Sequence, residues 1–509
     1  MRRLRVRDYL MTRFLSVLAL GSLLAVSAAA QPMALRLGSE GNDYGKDVTL
    51  DREGNIVVVG YVAGKADLDP GSRQRMANVR GVVDICVVKL DSAGRMLWGF
   101  TVGGVGADVP QSVVCDAEGN VYVTGYFSAE IYLDPMRKAP PLISVGKHDV
   151  FVAKYGPDGT HKWSFGFGSP DDDEGLDLAL DGKGGLYVTG VLRGAAQLDP
   201  RKGAGGVIGA GNENVVLARY DTDGNYKWGF TLGGPQNDQG CAVRAAPNGD
   251  VLLSGYFSGS VDFDPGPADA IRKSNGETDV FLARYTEIGG FKWAQSFGGK
   301  EVDYAAQGGM AIDAQGNIHL TGRFRDRVAF GEGKTQTTCV SKGVDDIFLA
   351  RFDESGKPMW MNAMGGPRAD GGHRVACDSK GNVVVGGWFR ETACFDPATG
   401  KGMLTARGKE EGSDAFIAKY DPSGKYLWAF GFGGPVAAPR NPLTTPLGGT
   451  VAGLAIDSAD RIVSTGRFMG ATDFAPGPRE VVLVSSGGSD IFVLRLTADG
   501  EMEPEAPKK

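Results

Sequence analysis

The stretch Asp221–Gly234, DTDGNYKWGFTLGG, decides the fold because close copies of it recur along the chain. DSAGRMLWGFTVGG begins at Asp91, GPDGTHKWSFGFGS at Gly156 and DPSGKYLWAFGFGG at Asp421. The tryptophans of the copies follow one another at intervals of 65 to 68 residues: Trp98, Trp163, Trp228, Trp293, Trp360 and Trp428. A glycine after a β-rich run marks seven repeats: Gly60, Gly125, Gly190, Gly255, Gly322, Gly387 and Gly466. Repetition at such a period indicates a solenoid, a propeller or an array.

Each repeat contains four short β-rich segments. In the repeat over 238–299 they begin at GCAVRA, VLLSGYF, DVFLARY and FKWAQSFGG, and a Pro- and Gly-containing arm separates the second from the third. β-branched and aromatic residues bounded by Gly, Asn and Asp are typical of strands and turns. Glycine supplies 78 of 509 residues, about double the average usage of ~7%. Four strands in each of seven repeats predict an all-β, seven-bladed β-propeller with four-stranded blades.

The last repeat lacks its fourth strand, and the missing strand lies at the other end of the chain. After DIFVLRL (Asp490–Leu496) and the turn TADG comes EMEPEAPKK, which is charged and contains proline. MALRLGSEGNDYG from Met33 aligns with WGFTLGGPQNDQG from Trp228, so Met33 takes the tryptophan position. The alignment predicts that Met33–Leu37 completes the last blade and hides two open sheet edges. We therefore expect one propeller over 31–500 and a disordered tail over 501–509.

The first thirty residues have the composition of a secretory signal peptide. Arginines precede the apolar run FLSVLALGSLLAV, and SAAAQ follows with small residues before a cleavage site after Ala30. We expect residues 1–30 to be removed and the mature chain to be extracytoplasmic, either periplasmic or secreted. An uncleaved anchor is the alternative. The mature chain is expected to be a monomer without membrane contact, and a net charge of −7 argues against nucleic acid as a partner.

The pattern GNxYVTGYF…FDPG…DxFxAKYDxxGxxxWxxxFGG resembles the SBBP repeat, a seven-bladed propeller repeat of exported bacterial proteins. Asn214 departs from the repeat aspartate, and FGEG at Phe330 and FAPG at Phe474 depart from FDPG. The tryptophan segment is also similar to the docking repeats of quinoprotein dehydrogenases, which have eight blades and often a Cys-Cys pair that is absent here. The SBBP resemblance implies the fold and an exported location, and it leaves the function open.

Aspartates form the most regular polar set in the sequence. Six recur in the crossover between one blade and the next: Asp43, Asp108, Asp173, Asp238, Asp303 and Asp370. PDDDEG adds Asp171 and Asp172 to this set. Our interpretation is that each crossover aspartate ties down its own loop by accepting backbone N–H bonds. The alternative is calcium or another hard cation held by these oxygens.

Cysteine and histidine offer weaker signals. Cys339 and Cys394 lie in the arms of adjacent repeats, and the sequence leaves open whether they or other cysteines form a disulfide. None of the four histidines has metal-ligand spacing, and His373, within GGHR at 371–374, is expected to face the central channel. We predict neither a catalytic residue nor a bound cofactor from these residues.

Two functions follow from this organisation. The first is an exported, non-catalytic scaffold that binds a protein, peptide or glycan on the face bearing the long loops. Its basis is regularity, since no repeat shows a polar set unlike its siblings. The alternative is an extracytoplasmic enzyme, a lyase or hydrolase, with its site at the mouth of the channel. The strongest departures from symmetry are GGHR and the loop Pro435–Gly449.

Overall fold

The computed structural model describes residues 33–71, 73–199, 201–331, 336–407, 412–434, 448–475 and 480–502. Within these ranges the backbone forms strands, turns and bends, without a helical segment. The expected signal peptide, most of the 435–449 loop and residues 503–509 of the expected tail lie outside the described residues.

The described strands group into seven four-stranded antiparallel units, here called blades 1 to 7 in chain order. The outer strand of blade 1 also pairs with the second strand of blade 2 through Gly103 and Gly104, so these two blades form one eight-stranded sheet. Blade 1 contains β2 (Tyr44–Leu50), β3 (Ile56–Val62), β6 (Asp84–Leu90) and β7 (Met96–Gly104). Blade 2 contains β8 (Asp108–Cys115), β9 (Val121–Tyr132), β10 (Leu142–Tyr155) and β11 (His161–Phe167). Blade 3 contains β12 (Glu174–Leu180), β13 (Gly185–Leu192), β16 (Asn214–Asp221) and β17 (Tyr226–Leu232). Blades 4 and 5 contain β18 (Gln239–Ala245), β19 (Val251–Phe257), β22 (Asp279–Tyr285) and β23 (Phe291–Phe297); β24 (Asp303–Ile312), β25 (Ile318–Phe324), β28 (Asp346–Phe352) and β29 (Pro358–Met364). Blades 6 and 7 contain β30 (Gly371–Cys377), β31 (Val383–Arg390), β34 (Ser413–Tyr420) and β35 (Tyr426–Phe432); β36 (Thr450–Ile456), β37 (Ile462–Asp473), β38 (Val482–Leu496) and β1 (Met33–Leu37).

The arms between second and third strands are more regular than the sequence indicated. In five blades each arm pairs with itself as a short hairpin: β4 (Lys65–Asp67) with β5 (Met76–Asn78), β14 (Ala195–Asp199) with β15 (Ala204–Ile208), β20 (Ser260–Asp262) with β21 (Ile271–Lys273), β26 (Arg327–Phe330) with β27 (Thr337–Val340), and β32 (Thr392–Asp396) with β33 (Lys401–Thr405). In blades 2 and 7 the second and third strands run on into the arm instead, so β38 begins at Val482 rather than Asp490.

Burial follows the order of the strands in a blade. The third strands β6 and β22 are buried along their whole length, whereas most positions of the outer strands β11 and β23 are half-buried or exposed. A strand reads as a continuous apolar run when both of its faces are covered. Here the covering surfaces are the neighbouring blades, as where Val57 and Val59 of blade 1 pack with Phe127 and Phe151 of blade 2. The core therefore lies between blades, around the ring.

The innermost strands follow one another around a central channel. β2, β8, β12, β18, β24, β30 and β36 each contact the next, and β36 contacts β2. The described residues thus form an all-β propeller of four-stranded blades, as the sequence predicts. β1 pairs antiparallel with β38, with Met33 opposite Arg495 and Leu37 opposite Ile491. The N-terminal strand lies where its alignment places it, at the outer edge of blade 7.

The repeated tryptophan joins each blade to the next. The indole N–H of Trp98 donates to the carbonyl of Pro157, and the same bond joins Trp163 to Thr222, Trp228 to Glu287 and Trp360 to Pro422. The ring of Trp98 lies against Gly159, where a Cβ atom would come within 2.9 Å of it. Met33 lies against Gly94 in the same way. These tryptophans therefore have an architectural role.

Candidate functional site

The central channel opens into a cavity of about 530 Å³ at the end where the innermost strands begin. We call it the mouth cavity and define it by these lining residues: Tyr44, Lys46, Gln111, Gln239, Tyr256, Tyr304, Arg323, His373, Arg374 and Trp388. The crossover loops lie at the same end of the blades, since Asp43 immediately precedes Tyr44. The volume falls within the range of ordinary small-ligand pockets, roughly 300–1,000 Å³.

Aromatic rings and cations alternate around the rim of this cavity. Lys46 Nζ and Arg467 Cζ lie 5.0 and 4.6 Å from the ring centroid of Tyr44. Arg323 Cζ lies 5.0 Å from the ring of Tyr304. Such contacts attract the cation to the negative face of the ring and hold its side chain in place. The rim therefore presents several positioned positive charges.

The indole of Trp388 is fixed from two sides. Arg390 Cζ lies 5.4 Å from the centroid of the Trp388 ring, and the Nε1–H of Trp388 donates to Nε2 of His373 across 3.2 Å. His373 Nδ1 lies 3.1 Å from the carbonyl oxygen of Val451, so Nδ1 carries the proton and the imidazole is neutral. Burial, together with the nearby charge of Lys46, lowers the pKa of His373 to about 3. His373 thus orients Trp388 and does not accept a proton at neutral pH.

Arg374 crosses the channel at the floor of the mouth cavity. Its Nε donates to Ala452 O of blade 7 across 2.8 Å, and Nη2 donates to Gln111 O of blade 2 across 3.2 Å. Nη2 also lies 3.3 Å from Asp47 Oδ2, and Nη1 lies 4.0 Å from Asp177 Oδ1. One side chain from blade 6 therefore reaches blades 1, 2, 3 and 7. The cavity is closed below the rim by this arginine.

The two carboxylates beside Arg374 link neighbouring innermost strands. Asp47 Oδ2 accepts the backbone N–H of Val113 across 3.1 Å. Asp177 accepts the hydroxyl of Ser112 across 2.8 Å and the N–H of Val243 across 3.0 Å. Burial raises the pKa of Asp47, while the charge of Arg374 opposes the shift. These bonds form a polar belt around the axis.

GGHR, which ends in Arg374, stood out in the sequence as a departure from symmetry, but the other members of this belt were missed. The belt residues share one register position of the innermost strand, opposite the residue before the repeated glycine: Asp47, Ser112, Asp177 and Arg374. Blade 4 has Ala242 there and blade 7 has Gly453. An alignment of the seven repeats by this position would have shown a polar set that differs from blade to blade.

Lys46 lines the cavity, and it is the residue of β2 without a partner in β3, because Gly45 lies opposite Gly60 and Asp47 lies opposite Val59. In the described part of the chain, no carboxylate oxygen lies within salt-bridge distance of its Nζ. Burial and then the charges of Arg374 and Arg467 lower the pKa of Lys46 to about 8, and Glu174 and Asp47 oppose the shift. Lys46 is therefore a cation that the fold does not neutralise locally.

The crossover aspartates are buried, and they hold their own loops. Their Oδ2 atoms accept the N–H of the residue four positions earlier; the distance is 2.7 Å in Asp108, Asp238 and Asp303. In every crossover aspartate except Asp108, Oδ1 also accepts an N–H from the following second strand or the loop after it: from Ala63 to Asp43, Arg193 to Asp173, Ser258 to Asp238, Arg325 to Asp303 and Arg390 to Asp370. This arrangement agrees with the interpretation that each crossover aspartate ties down its own loop by accepting backbone N–H bonds.

Asp171 and Asp172 point away from the buried Asp173. Asp171 lies 3.1 Å from Lys147 Nζ, and Asp172 Oδ1 lies 2.7 Å from Nδ1 of His148. Over the described ranges, no group of three or more His, Cys, Asp or Glu side chains could hold a metal ion. The structure does not bring the predicted calcium ligands together at one point, and calcium binding stays a prediction.

All six cysteines are free. Cys339 Sγ lies 3.8 Å from Met361 O, and Cys394 Sγ lies 3.6 Å from Lys401 O. The two residues raised as disulfide candidates are thus not paired.

No model of a known protein family matches the chain. It is 24% identical over 519 residues to an uncharacterised WD repeat-containing protein of Acanthamoeba polyphaga mimivirus, across 86% of this chain and 36% of that protein. It is 25% identical over 267 residues to the regulatory protein FlaEY of Caulobacter vibrioides, across 48% of this chain and 26% of that protein. The chain thus spans about a third or less of the curated relatives it matches.

Solved structures with a similar fold include the Pan2 WD40 domain of Neurospora crassa, at 9% identity and a TM-score of 0.39 over 88% of this chain and 89% of that chain. A glucose dehydrogenase matches at 12% identity and a TM-score of 0.33 over 70% of this chain and 96% of that chain. In the described residues no helix has the length and apolar character needed to cross a membrane.

Proposed function

We propose that this chain is an exported, non-catalytic propeller scaffold of the SBBP-repeat type that binds a protein, peptide or glycan at its mouth cavity and the surrounding long loops. The observation that carries the proposal is the variation at one strand position, whose residues Tyr256, Arg323 and Trp388 line the mouth cavity. The residue after each repeated glycine changes around the ring: Tyr61, Tyr126, Val191, Tyr256, Arg323, Trp388 and Arg467. A position that serves only the architecture would repeat as the glycine and tryptophan do.

The chemistry of His373 and Arg374, the two residues of GGHR that line the cavity with side chains, supports binding rather than turnover. A lyase or hydrolase needs a free acid or base at the substrate. Both ring nitrogens of His373 are engaged, and Arg374 is matched with Asp47 and Asp177. The aromatic and amide groups that remain, such as Tyr304 and Gln239, are suited to holding a ligand. Export is supported by the composition of residues 1–30.

A ligand screen on peptide and glycan arrays tests the proposal, with the mature chain as the probe. Ligands captured by the wild type should be lost in Trp388→Ala and Tyr304→Ala. They should be retained by Arg52→Ala, which alters a cavity at the opposite end of the channel. Circular dichroism should show that all three variants are folded.

The proposal is contradicted if Arg52→Ala abolishes capture while the rim variants keep it. N-terminal sequencing of protein from the native host tests export separately, and an N-terminus at Gln31 is expected.

A further inference from the structure

We propose that the mouth cavity receives the acidic end of a polypeptide, with a carboxylate of that peptide beside Lys46. The inference rests on the proposed function and names the chemistry of its ligand. It starts from the charges that the fold leaves without a partner in a cavity that is closed at its floor.

The cations around the cavity are not equally available. Arg374 is matched by Asp47 and Asp177, and Arg323 lies 3.7 Å from Asp345. Lys46, in contrast, makes no salt bridge among the described residues, and its ammonium group lies against the ring of Tyr44.

Arg467 contacts the same ring, and its Nε is buried without a hydrogen-bond acceptor among the described residues. Lys46 and Arg467 thus flank one aromatic side chain, and the ammonium group of Lys46, which lines the cavity, is free to bind an anion. A carboxylate placed there gains charge-assisted hydrogen bonds that the protein alone does not make.

A second unmatched group lies at the floor. Gln111 is 6% exposed, it lines the cavity, and its Oε1 has no partner in the described part of the chain. A buried acceptor without a donor costs free energy until a ligand supplies the donor. A peptide provides backbone N–H groups as well as the carboxylate, so it can satisfy Gln111 and Lys46 together.

The rim favours a peptide over an acidic sugar. Sugars bind aromatic side chains through open ring faces, and a cation already lies against one face of each of the rings of Tyr44, Tyr304 and Trp388. Because Arg374 crosses the axis, a chain cannot pass through and must enter by its end. Glu174, on the wall of blade 3, is the acidic group near Lys46 that would repel a long run of carboxylates on that side.

Fluorescence anisotropy with N-terminally labelled peptides ending in Tyr-Glu-Asp-Glu tests the inference, at low ionic strength. The neutral probe carries Gln and Asn in place of the acids and a C-terminal amide. The acidic probe should bind at least about tenfold more tightly than the neutral one, and Lys46→Gln should remove most of that difference. Lys46→Arg should keep the difference in affinity between the two probes. Lys65→Gln, which removes an exposed lysine of the same blade, should leave that difference unchanged. Affinity should fall above pH 8 as the ammonium of Lys46 loses its proton.

Equal binding of acidic and neutral probes, or no binding of either, overturns the inference. So does an affinity for the acidic peptide that is unchanged by Lys46→Gln. A digalacturonate probe that binds where the peptide does not would assign the cavity to an acidic glycan instead. If Trp388→Ala and Tyr304→Ala lose a neutral array ligand and Lys46→Gln still binds that ligand, the proposed function stands and this inference fails.

Discussion

Removal of β1 should destabilise the propeller, although the strand has only five residues. Met33 is 2% exposed and Leu37 is 1% exposed, and both pack in the core between blades 7 and 1. Burying each side chain contributes about 1.5–3 kcal/mol, so a chain that begins at Gly38 should lose about 3–6 kcal/mol. It also exposes the edge of β38, which favours association between molecules. Urea unfolding followed by tryptophan fluorescence measures the first effect, and light scattering measures the second.

A permuted chain provides the matched control. Thr497 N–H donates to Glu501 O just as Asp91 N–H donates to Arg95 O, so Met502 corresponds to Met96 and Met33 to Trp98. One residue must therefore stand between Met502 and Met33, and Pro32 provides it. A chain that starts at Gly41 and continues from Met502 into 32–40 should show the urea midpoint of the wild type. The reasoning is refuted if the β1 deletion has the wild-type midpoint, or if the permuted chain is as unstable as the deletion.

Four further outcomes are expected. Gly356→Ala should cost more stability than Gly54→Ala in urea titrations. Both glycines have positive φ, but only at Gly356 would a Cβ meet an indole, at 2.6 Å. Equal losses would contradict the role of the tryptophan rings in holding neighbouring blades together. Burial raises the pKa of Asp303 to about 7, so the folded state holds a proton that the unfolded state releases near pH 4, and the free energy of unfolding should fall from pH 5 to pH 7.5. Burial raises the pKa of Asp108 and Asp370 to about 7 as well, so Asp303→Asn should reduce the slope of that profile without abolishing it, and a midpoint that rises over this range would refute the assignment. Arg374→Met should cost about 3–5 kcal/mol, since it leaves the buried carboxylate of Asp47 without its cation while Asp177 keeps Arg244 at 2.5 Å, and an unchanged urea midpoint would be inconsistent with the belt. EDTA and added calcium should leave the melting temperature unchanged if the crossover aspartates only tie loops, whereas a calcium-dependent rise would establish the cation site.

The features that the sequence predicted are those set by local repetition. Strand order recurs every 65 to 68 residues, because the same strand and turn residues recur in each copy. The position of β1 followed from the same alignment, because a strand that matches Trp228 onward must occupy the equivalent edge. The short arm hairpins were not predicted because their pairing depends on few residues between Pro- and Gly-rich turns.

The candidate site was not predictable in the same way. Arg374 meets Gln111 and Asp47, which are hundreds of residues away in the chain, and these contacts exist only after the ring has formed. Lys46 and His373 carry no spacing that points to chemistry. Their meaning comes from the channel that surrounds them, which lowers the pKa of both.

The reach of Arg374 also bears on how such a protein can evolve. Repeat proteins gain and lose units by duplication and deletion, and each extra blade would widen the ring and move its opposite walls apart. Here the guanidinium of Arg374 spans the axis, 3.3 Å from Asp47 and 3.2 Å from Gln111 O, so a wider ring would break both contacts. A lineage that adds or removes a blade must abandon this arginine and the carboxylates beside it in the same step. Individual rim residues can diverge freely, while the number of repeats is held fixed from the centre.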